Sequence, residues 1–148
     1  MIAAIIEQDH DAGREFFADI GNATQPAWEG RADGMAAFAN LWERHGITLD
    51  RAVAPHLSAV PQLRTDLDAL LTQQRLVVER ARDLVRRASG RDADGRWLTD
   101  FEGLKALFDD QCQRESSHLL PVIRDRVPPE EVAEMTRAAR ALREQRRG

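Results

Sequence analysis

The sequence predicts an all-α protein, in which four helices form an antiparallel up-down bundle and a shorter fifth helix follows. Ala, Leu, Arg, Glu and Asp dominate, Tyr is absent and β-branched residues rarely cluster, so little of the chain favours strands. Long segments repeat apolar residues at alternating steps of three and four, the spacing of a bundle seam. Glycine- and proline-containing stretches divide these segments at residues 21–34, 60–62, 89–96 and 127–129. Because most connections are short, consecutive helices should be antiparallel neighbours.

The seam positions of the first two segments include a histidine near the middle of each. In the first segment they are Ile6, His10, Gly13, Phe17 and Ile20. In the second they are Met35, Phe38, Trp42, His45, Leu49, Ala52 and His56. At about 1.5 Å of rise per residue, His10 lies roughly 15 Å before its helix ends and His45 roughly 18 Å after its helix starts. The two imidazoles should therefore lie at the same depth of the bundle.

The third and fourth segments also place polar residues on the seam. The third seam consists of Leu63, Leu67, Leu70, Gln74, Val77, Ala81, Leu84 and Ala88. The fourth consists of Phe101, Leu104, Phe108, Gln111, Glu115, His118 and Val122. Gln74 and Gln111 fall roughly level with each other, so a polar layer should cross the core. Burying such groups is unfavourable unless they are hydrogen-bonded or bound to a metal.

The last segment predicts a separate helix, in residues 127–148, that packs on the bundle of residues 1–126 or extends from it. Its acidic residues come first and its basic residues last, an order that complements the helix dipole. These residues are Glu130, Glu131, Glu134, Arg140, Arg143, Arg146 and Arg147.

Charge and composition restrict the partners and the location. The 148 residues carry 21 basic and 25 acidic side chains, a net charge of -4 that predicts neither a nucleic-acid nor a membrane surface. The single cysteine, Cys112, cannot form an internal disulfide, and we expect its thiol to be inert. No apolar run approaches the ~20 residues of a membrane span, and the opening MIAAIIEQDH lacks a signal-peptide pattern. These features favour a cytoplasmic protein.

Two motifs in the first half of the chain resemble those of the hemerythrin-like, or HHE cation-binding, domain family. EQDHDAGREFF (7–17) is similar to the motif that carries the histidine of the family's first helix. WERHGITLDRAVAP (42–55) is similar to the HxxxE motif of its second helix, which a proline follows six residues on. Leu49 stands where that motif has its carboxylate.

The resemblance continues through the second half and covers residues 1–126. QQRLVVERARDL (73–84) is similar to the histidine motif of the third helix, with Gln74 in the histidine position. DDQCQRESSHLLP (109–121) is similar to the second HxxxE motif, with Gln111 in the histidine position and Glu115 as the carboxylate.

The resemblance implies a metal site in the bundle core. The candidate ligands are His10, His45, Glu115, His118, Gln74 and Gln111. A di-iron centre of the family type bridges its metals with both motif carboxylates, and Leu49 removes one of them. The resemblance therefore predicts one iron or zinc ion, not a di-iron centre. Three protein ligands with open positions could bind a small ligand or sense redox state.

Two other interpretations stay open. In one, the glutamines and histidines form a metal-free hydrogen-bond network, and the bundle serves protein contacts or homodimerisation. In the other, the chain is an enzyme similar to DinB bundles, which use a three-histidine metal site, although that family has its histidines elsewhere. No GxSxG, phosphate loop or CxxC motif occurs, so the sequence predicts no catalytic nucleophile.

Polar residues near the seam have simpler explanations. Asp50 points about 100° away from the seam around the helix, so it should face solvent. His56 directly follows Pro55 and should lie at the surface. The E-x-x-H spacing puts Glu115 and His118 on one helix face, as in some bundle metal sites. A solvent-facing His118 is the alternative.

Overall fold

The computed structural model describes residues 1–21, 28–57, 60–88 and 95–145. Within these ranges the chain is helical and contains no strand, which confirms the predicted all-α class. Residues 22–27 of the connection predicted at 21–34, residues 89–94 of the one predicted at 89–96, and the basic residues at 146 and 147 lie outside the described residues. Among the described helices, none is both long enough and apolar enough to cross a membrane.

The described part of the chain forms five continuous helical segments. Helix α1 spans Ile2–Gly21, and α3 spans Pro61–Arg87. Helix α2 (Trp28–Thr48) continues into a first π turn (Leu49–Val53) and a 3-10 turn (Ala54–His56). Helix α4 (Arg96–Arg114) continues through a second π turn (Glu115–Leu119) into α5 (Leu120–Arg126). Helix α6 spans Pro129–Gln145. Four long segments and a shorter fifth agree with the predicted division.

Helix α2 begins at Trp28, well inside the connection predicted for residues 21–34. Gly34 lies in that predicted connection but is helical. A Cβ at this position would lie only 3.0 Å from Cγ1 of Ile20. Gly34 therefore permits a close approach of α2 to α1.

Two clusters of buried apolar residues fill the interior. The aromatic cluster includes Phe17, Phe38, Trp42, Trp97, Phe101 and Phe108. The aliphatic cluster includes Ile2, Ile6, Leu49, Leu63, Leu67, Leu119, Met135 and Ala139. Helix α1 packs on α2, α2 on α3, and α3 on α4, while α6 packs on α1 and on the first π turn. The aliphatic cluster thereby joins α6 to the other helices.

Buried polar residues separate the two clusters along each of the four long segments. Helices α1 and α3 run from the aliphatic cluster to the aromatic one, whereas α2 and α4 run in the opposite order. The buried polar residues between the clusters are Asp9, His10, His45, Thr48, Gln74, Gln111 and Glu115. The predicted polar layer is therefore confirmed as a set of buried residues.

The second π turn changes which residues face the interior after Glu115. The step-of-three-and-four pattern places His118 and Val122 on the seam, but His118 is exposed and Val122 half-buried, whereas Leu119, Leu120 and Ile123 are buried. In this turn the N–H of Leu120 donates to the carbonyl of Glu115, five residues back. The extra residue in the turn shifts the seam by one position and turns His118 to solvent.

The first π turn has the same effect in the second segment. The N–H of Ala54 donates to the carbonyl of Leu49, and Leu57 is buried, whereas His56, the last position of the seam pattern, is only partly buried. Pro55 and Pro121 each stand two residues after a π turn. A proline ring clashes with the carbonyl four residues back in an α-helix, and the wider π turn relieves that clash.

Candidate metal centre

Three side chains from three helical segments converge between the apolar clusters. His10 comes from α1, His45 from α2 and Glu115 from the start of the second π turn. Nε2 of His10 lies 3.1 Å and Nε2 of His45 lies 2.7 Å from Oε1 of Glu115, and the imidazole centroids are 5.5 Å apart. All three residues are at most 1% exposed. Their ligand atoms lie within 4.8 Å of one another, so they could hold a metal ion.

The orientation of His45 is set by a second carboxylate. Nδ1 of His45 donates to Oδ2 of Asp9 over 2.9 Å, which directs the opposite nitrogen, Nε2, at Glu115. Oδ2 of Asp9 also accepts a hydrogen bond from Nη2 of Arg143 in α6, over 2.7 Å. The Asp9 side chain is 3% exposed and the Arg143 side chain 24%. A buried carboxylate thus connects His45 to the last helix.

The orientation of Glu115 is set by Gln111 and Trp42. Nε2 of Gln111 donates to Oε2 of Glu115 over 2.7 Å, which leaves Oε1 to the two histidines. Oε1 of Gln111 accepts from the indole Nε1 of Trp42 over 3.0 Å. The Trp42 ring also stacks on His45, with centroids 4.2 Å apart and planes inclined by 15°. Gln111 therefore orients the Glu115 carboxylate, and the amide oxygen of Gln111 is already hydrogen-bonded to Trp42.

Gln74 lies apart from the three converging side chains. Its amide Nε2 donates to the backbone carbonyl of Trp42 over 2.6 Å. It lines a cavity of about 490 Å³ between α2 and α3, together with Gly46 and Ile47. The two glutamines therefore contact Trp42 at different atoms, and only Gln111 reaches Glu115.

The remaining histidines also lie outside the cluster. His118 is exposed and lines a surface cavity of about 460 Å³ with Leu63 and Arg114, because the second π turn rotates it away from Glu115. Nδ1 of His56 lies 3.8 Å from Glu131 and 3.7 Å from Glu134, at α6. Two of the four histidines thus belong to the cluster.

The charged groups of the cluster stabilise one another's ionised forms. Burial disfavours the His45 imidazolium, but Glu115 and Asp9 outweigh that effect and raise the pKa of His45 to about 9. Burial likewise opposes ionisation of Glu115, yet His45 and His10 lower its pKa to about 2. The pKa of Asp9 is also lowered, since His45 and Arg143 outweigh its burial. Without a metal, His45 and Glu115 therefore form a buried ion pair near neutral pH.

Cys112 neighbours the cluster but has no part in it. Its side chain is buried in the aromatic cluster, and the thiol is free. Burial and the nearby Glu115 carboxylate raise the pKa of this thiol. The thiolate, which is the reactive form, is therefore suppressed, as expected for a structural cysteine.

Three residues of the site are not predicted by the sequence pattern. The seam pattern predicts Trp42 only as an apolar residue, although its indole N–H donates to Gln111. Asp9 follows Ile2 and Ile5 at helical spacing and is buried with them, so its place on this stripe was a signal. Arg143 gave no such signal, because its contact with Asp9 depends on where α6 packs.

The cluster offers donors to a metal ion, and it also closes into a hydrogen-bond network by itself. Two imidazole nitrogens and one carboxylate oxygen suit iron and zinc. Comparison of this chain with protein-family models, with curated proteins and with solved structures finds no match. Its function is therefore inferred from the contacts of these residues.

Proposed function

We propose that this protein holds one iron or zinc ion in the core of a hemerythrin-like bundle, where the ion senses a small ligand or a change in redox state. The ligand atoms are Nε2 of His10, Nε2 of His45 and Oε1 of Glu115. One observation carries the proposal: two of the ligands are already hydrogen-bonded through their second polar atom. Nδ1 of His45 is bonded to Asp9, and Oε2 of Glu115 is bonded to Gln111. Such outer partners are typical of metal ligands, whose orientation and tautomer they fix.

The two separations that involve Oε1 of Glu115 support the proposal. Ligands at about 2.1 Å from an ion in tetrahedral or octahedral geometry lie roughly 3.0–3.4 Å from one another. The observed separations from Glu115 Oε1, 3.1 Å to His10 and 2.7 Å to His45, are close to that range. Metal binding requires both imidazoles to give up the proton on Nε2. The ion would supply a Lewis acid or a redox centre.

The order of the apolar clusters supports the bundle arrangement. Helices α1 and α3 pass from the aliphatic to the aromatic cluster, and α2 and α4 pass back. This alternation is what four antiparallel up-down helices produce. A single ion is proposed because Leu49, fully buried in the aliphatic cluster, stands where the HxxxE motif of the family's second helix has its carboxylate.

Metal analysis of protein purified without a histidine tag tests the proposal. We expect about one equivalent of iron or zinc in the wild type and less than about a tenth in Glu115→Gln, because loss of the carboxylate removes the one anionic ligand. His118→Gln is the matched control: it removes an exposed imidazole three residues along the chain and should keep the metal. A wild type with less than about a tenth of an equivalent after reconstitution contradicts the proposal.

Charge balance favours a second candidate, a metal-free bundle that serves protein contacts. The two carboxylates, Asp9 and Glu115, face two cations, Arg143 and a protonated His45. The buried network is thus neutral with no ion bound. In that case reconstituted protein contains no metal, and sedimentation analysis should detect a dimer or a bound partner protein.

A further inference from the structure

We infer that Arg143 of α6 is a positioning residue of the metal site: by holding the Asp9 carboxylate, it fixes the orientation and tautomer of His45. Docking of α6 thereby becomes a condition for tight metal binding. The inference rests on the proposed function, since it concerns the same three ligands.

The contacts form one chain from the surface to the ligand atoms. Nη2 of Arg143 donates to Oδ2 of Asp9 over 2.7 Å, and the same oxygen accepts from Nδ1 of His45 over 2.9 Å. On the far side of the imidazole, Nε2 of His45 lies 2.7 Å from Oε1 of Glu115. The exposed fraction of the side chain falls along this series of contacts, from 24% for Arg143 to 3% for Asp9 and 0% for His45.

Apolar packing of α6 brings Arg143 to this position. Met135 and Ala139 of α6 are fully buried in the aliphatic cluster, which also contains Leu49 and Ile6. Ala139 and Arg143 are four residues apart, so they lie on the same face of α6 in successive turns. The helix that anchors in the core therefore presents its guanidinium to Asp9.

Arg143 matters to His45 because a carboxylate with a single partner is not fixed. With both contacts, Oδ2 of Asp9 is held between a guanidinium and an imidazole. If Arg143 is lost, Asp9 keeps His45 as its one side-chain partner among the described residues and can turn its carboxylate toward water, and the imidazole loses its outer partner. Mutation of such outer partners typically weakens metal affinity about 10–100-fold.

Metal titration of full-length variants tests the inference, with zinc for affinity and cobalt(II) as a spectroscopic probe. Arg143→Gln should bind zinc about 10–100-fold more weakly than the wild type in competition with a chelator. The visible absorption bands of its cobalt(II) form should shift, because the His45 ring is reoriented. Arg143→Lys, which keeps a charged donor, should recover part of the affinity. Arg140→Gln removes an equal charge from an exposed position of α6 and should bind like the wild type.

Equal zinc affinity and equal cobalt(II) spectra in the wild type and Arg143→Gln would overturn the inference. Nuclear magnetic resonance of metal-free protein separates this result from a failure of the proposed function. The hydrogen-bonded Nδ1 proton of His45 should resonate at low field and move in Arg143→Gln but not in Arg140→Gln. If the wild type binds no metal but the resonance of this proton moves in Arg143→Gln, only the proposed function is contradicted. If it does not move, the positioning role is also rejected.

Discussion

Glu115 is the residue on which the buried cluster depends, because its two oxygens accept hydrogen bonds from three side chains. His10 and His45 donate to Oε1, and Gln111 donates to Oε2. A buried carboxylate is strongly disfavoured unless it is paired and hydrogen-bonded, and here both conditions hold. The same contacts explain the low pKa of Glu115 and place its Oε1 where a metal would need it.

The ion pair between His45 and Glu115 predicts how the stability of metal-free protein depends on pH. The pKa of His45 rises from 6.5 to about 9, so its contribution is complete below pH 6.5 and disappears as pH rises through 9. The pKa of Glu115 falls from 4.5 to about 2, so its contribution is complete above pH 4.5 and disappears as pH falls through 2. Stability should therefore be greatest between pH 4.5 and 6.5.

Urea unfolding with a chelator present, from pH 3 to 9.5, measures this profile. On the alkaline side we expect a loss on the order of 3 kcal/mol, since each pKa unit corresponds to about 1.4 kcal/mol. The pKa shifts of His45 and Glu115 arise from the same ion pair, so the two free-energy contributions are not added. His45→Gln should flatten the alkaline decline, whereas His118→Gln, at an exposed position, should leave it in place. If the alkaline loss of stability persists in His45→Gln, another titratable group causes it.

At the scale of the elements, the two π turns mark the point at which the helical pattern of the sequence stops predicting burial. Up to Glu115 the seam of the fourth segment is correct, and from there it is wrong by one residue. Periodicity assumes a constant number of residues per turn, which a π turn violates. Pro121, six residues after Glu115, was a signal of the break, as was Pro55 after Leu49.

The contact between α2 and α3 depends on a glycine opposite a buried amide. A Cβ at Gly46 would overlap the side-chain amide of Gln74, which donates to the backbone carbonyl of Trp42. In Gly46→Ala the amide must move and lose this hydrogen bond. We expect a net destabilisation of about 1–3 kcal/mol, because overpacking of about 1–3 kcal/mol and the lost hydrogen bond of about 1 kcal/mol together outweigh the roughly 1 kcal/mol of helix propensity that alanine gains.

Denaturant unfolding of three further variants checks the cause. Gly103→Ala is the matched control, since nothing lies within 4 Å of a Cβ at this position of α4. It should stabilise the protein by about 0.5–1 kcal/mol. Gln74→Ala removes the obstructing amide, so the double variant Gly46→Ala, Gln74→Ala should be more stable than the sum of the two single changes by about 1 kcal/mol or more. Additive effects would show that Gln74 does not restrict Gly46.

At the scale of the whole molecule, the sequence predicted which residues are buried better than which of them meet. His10, His45, Gln74 and Gln111 were all expected inside, and all are buried. His10, His45 and Gln111 share the Glu115 carboxylate, whereas Gln74 donates to the backbone carbonyl of Trp42. Helical periodicity gives the inward face of one helix, whereas these contacts depend on rotation and packing between helices. The contact of α6 with Asp9 depends on packing in the same way.

Packing of α6 in the common core predicts that the chain unfolds as one unit. Met135 is fully buried in the aliphatic cluster with Leu49 and Leu63, so Met135→Ala should destabilise the whole protein by about 2–5 kcal/mol. Arg137→Ala, at an exposed position on the same helix, should change stability by less than about 0.5 kcal/mol. Circular dichroism, which follows all helices, and fluorescence of the buried Trp42 and Trp97 should report one coincident transition in the wild type and both variants. An early loss of helix signal in Met135→Ala, with tryptophan fluorescence unchanged, would instead show that α6 detaches from a bundle that stays folded.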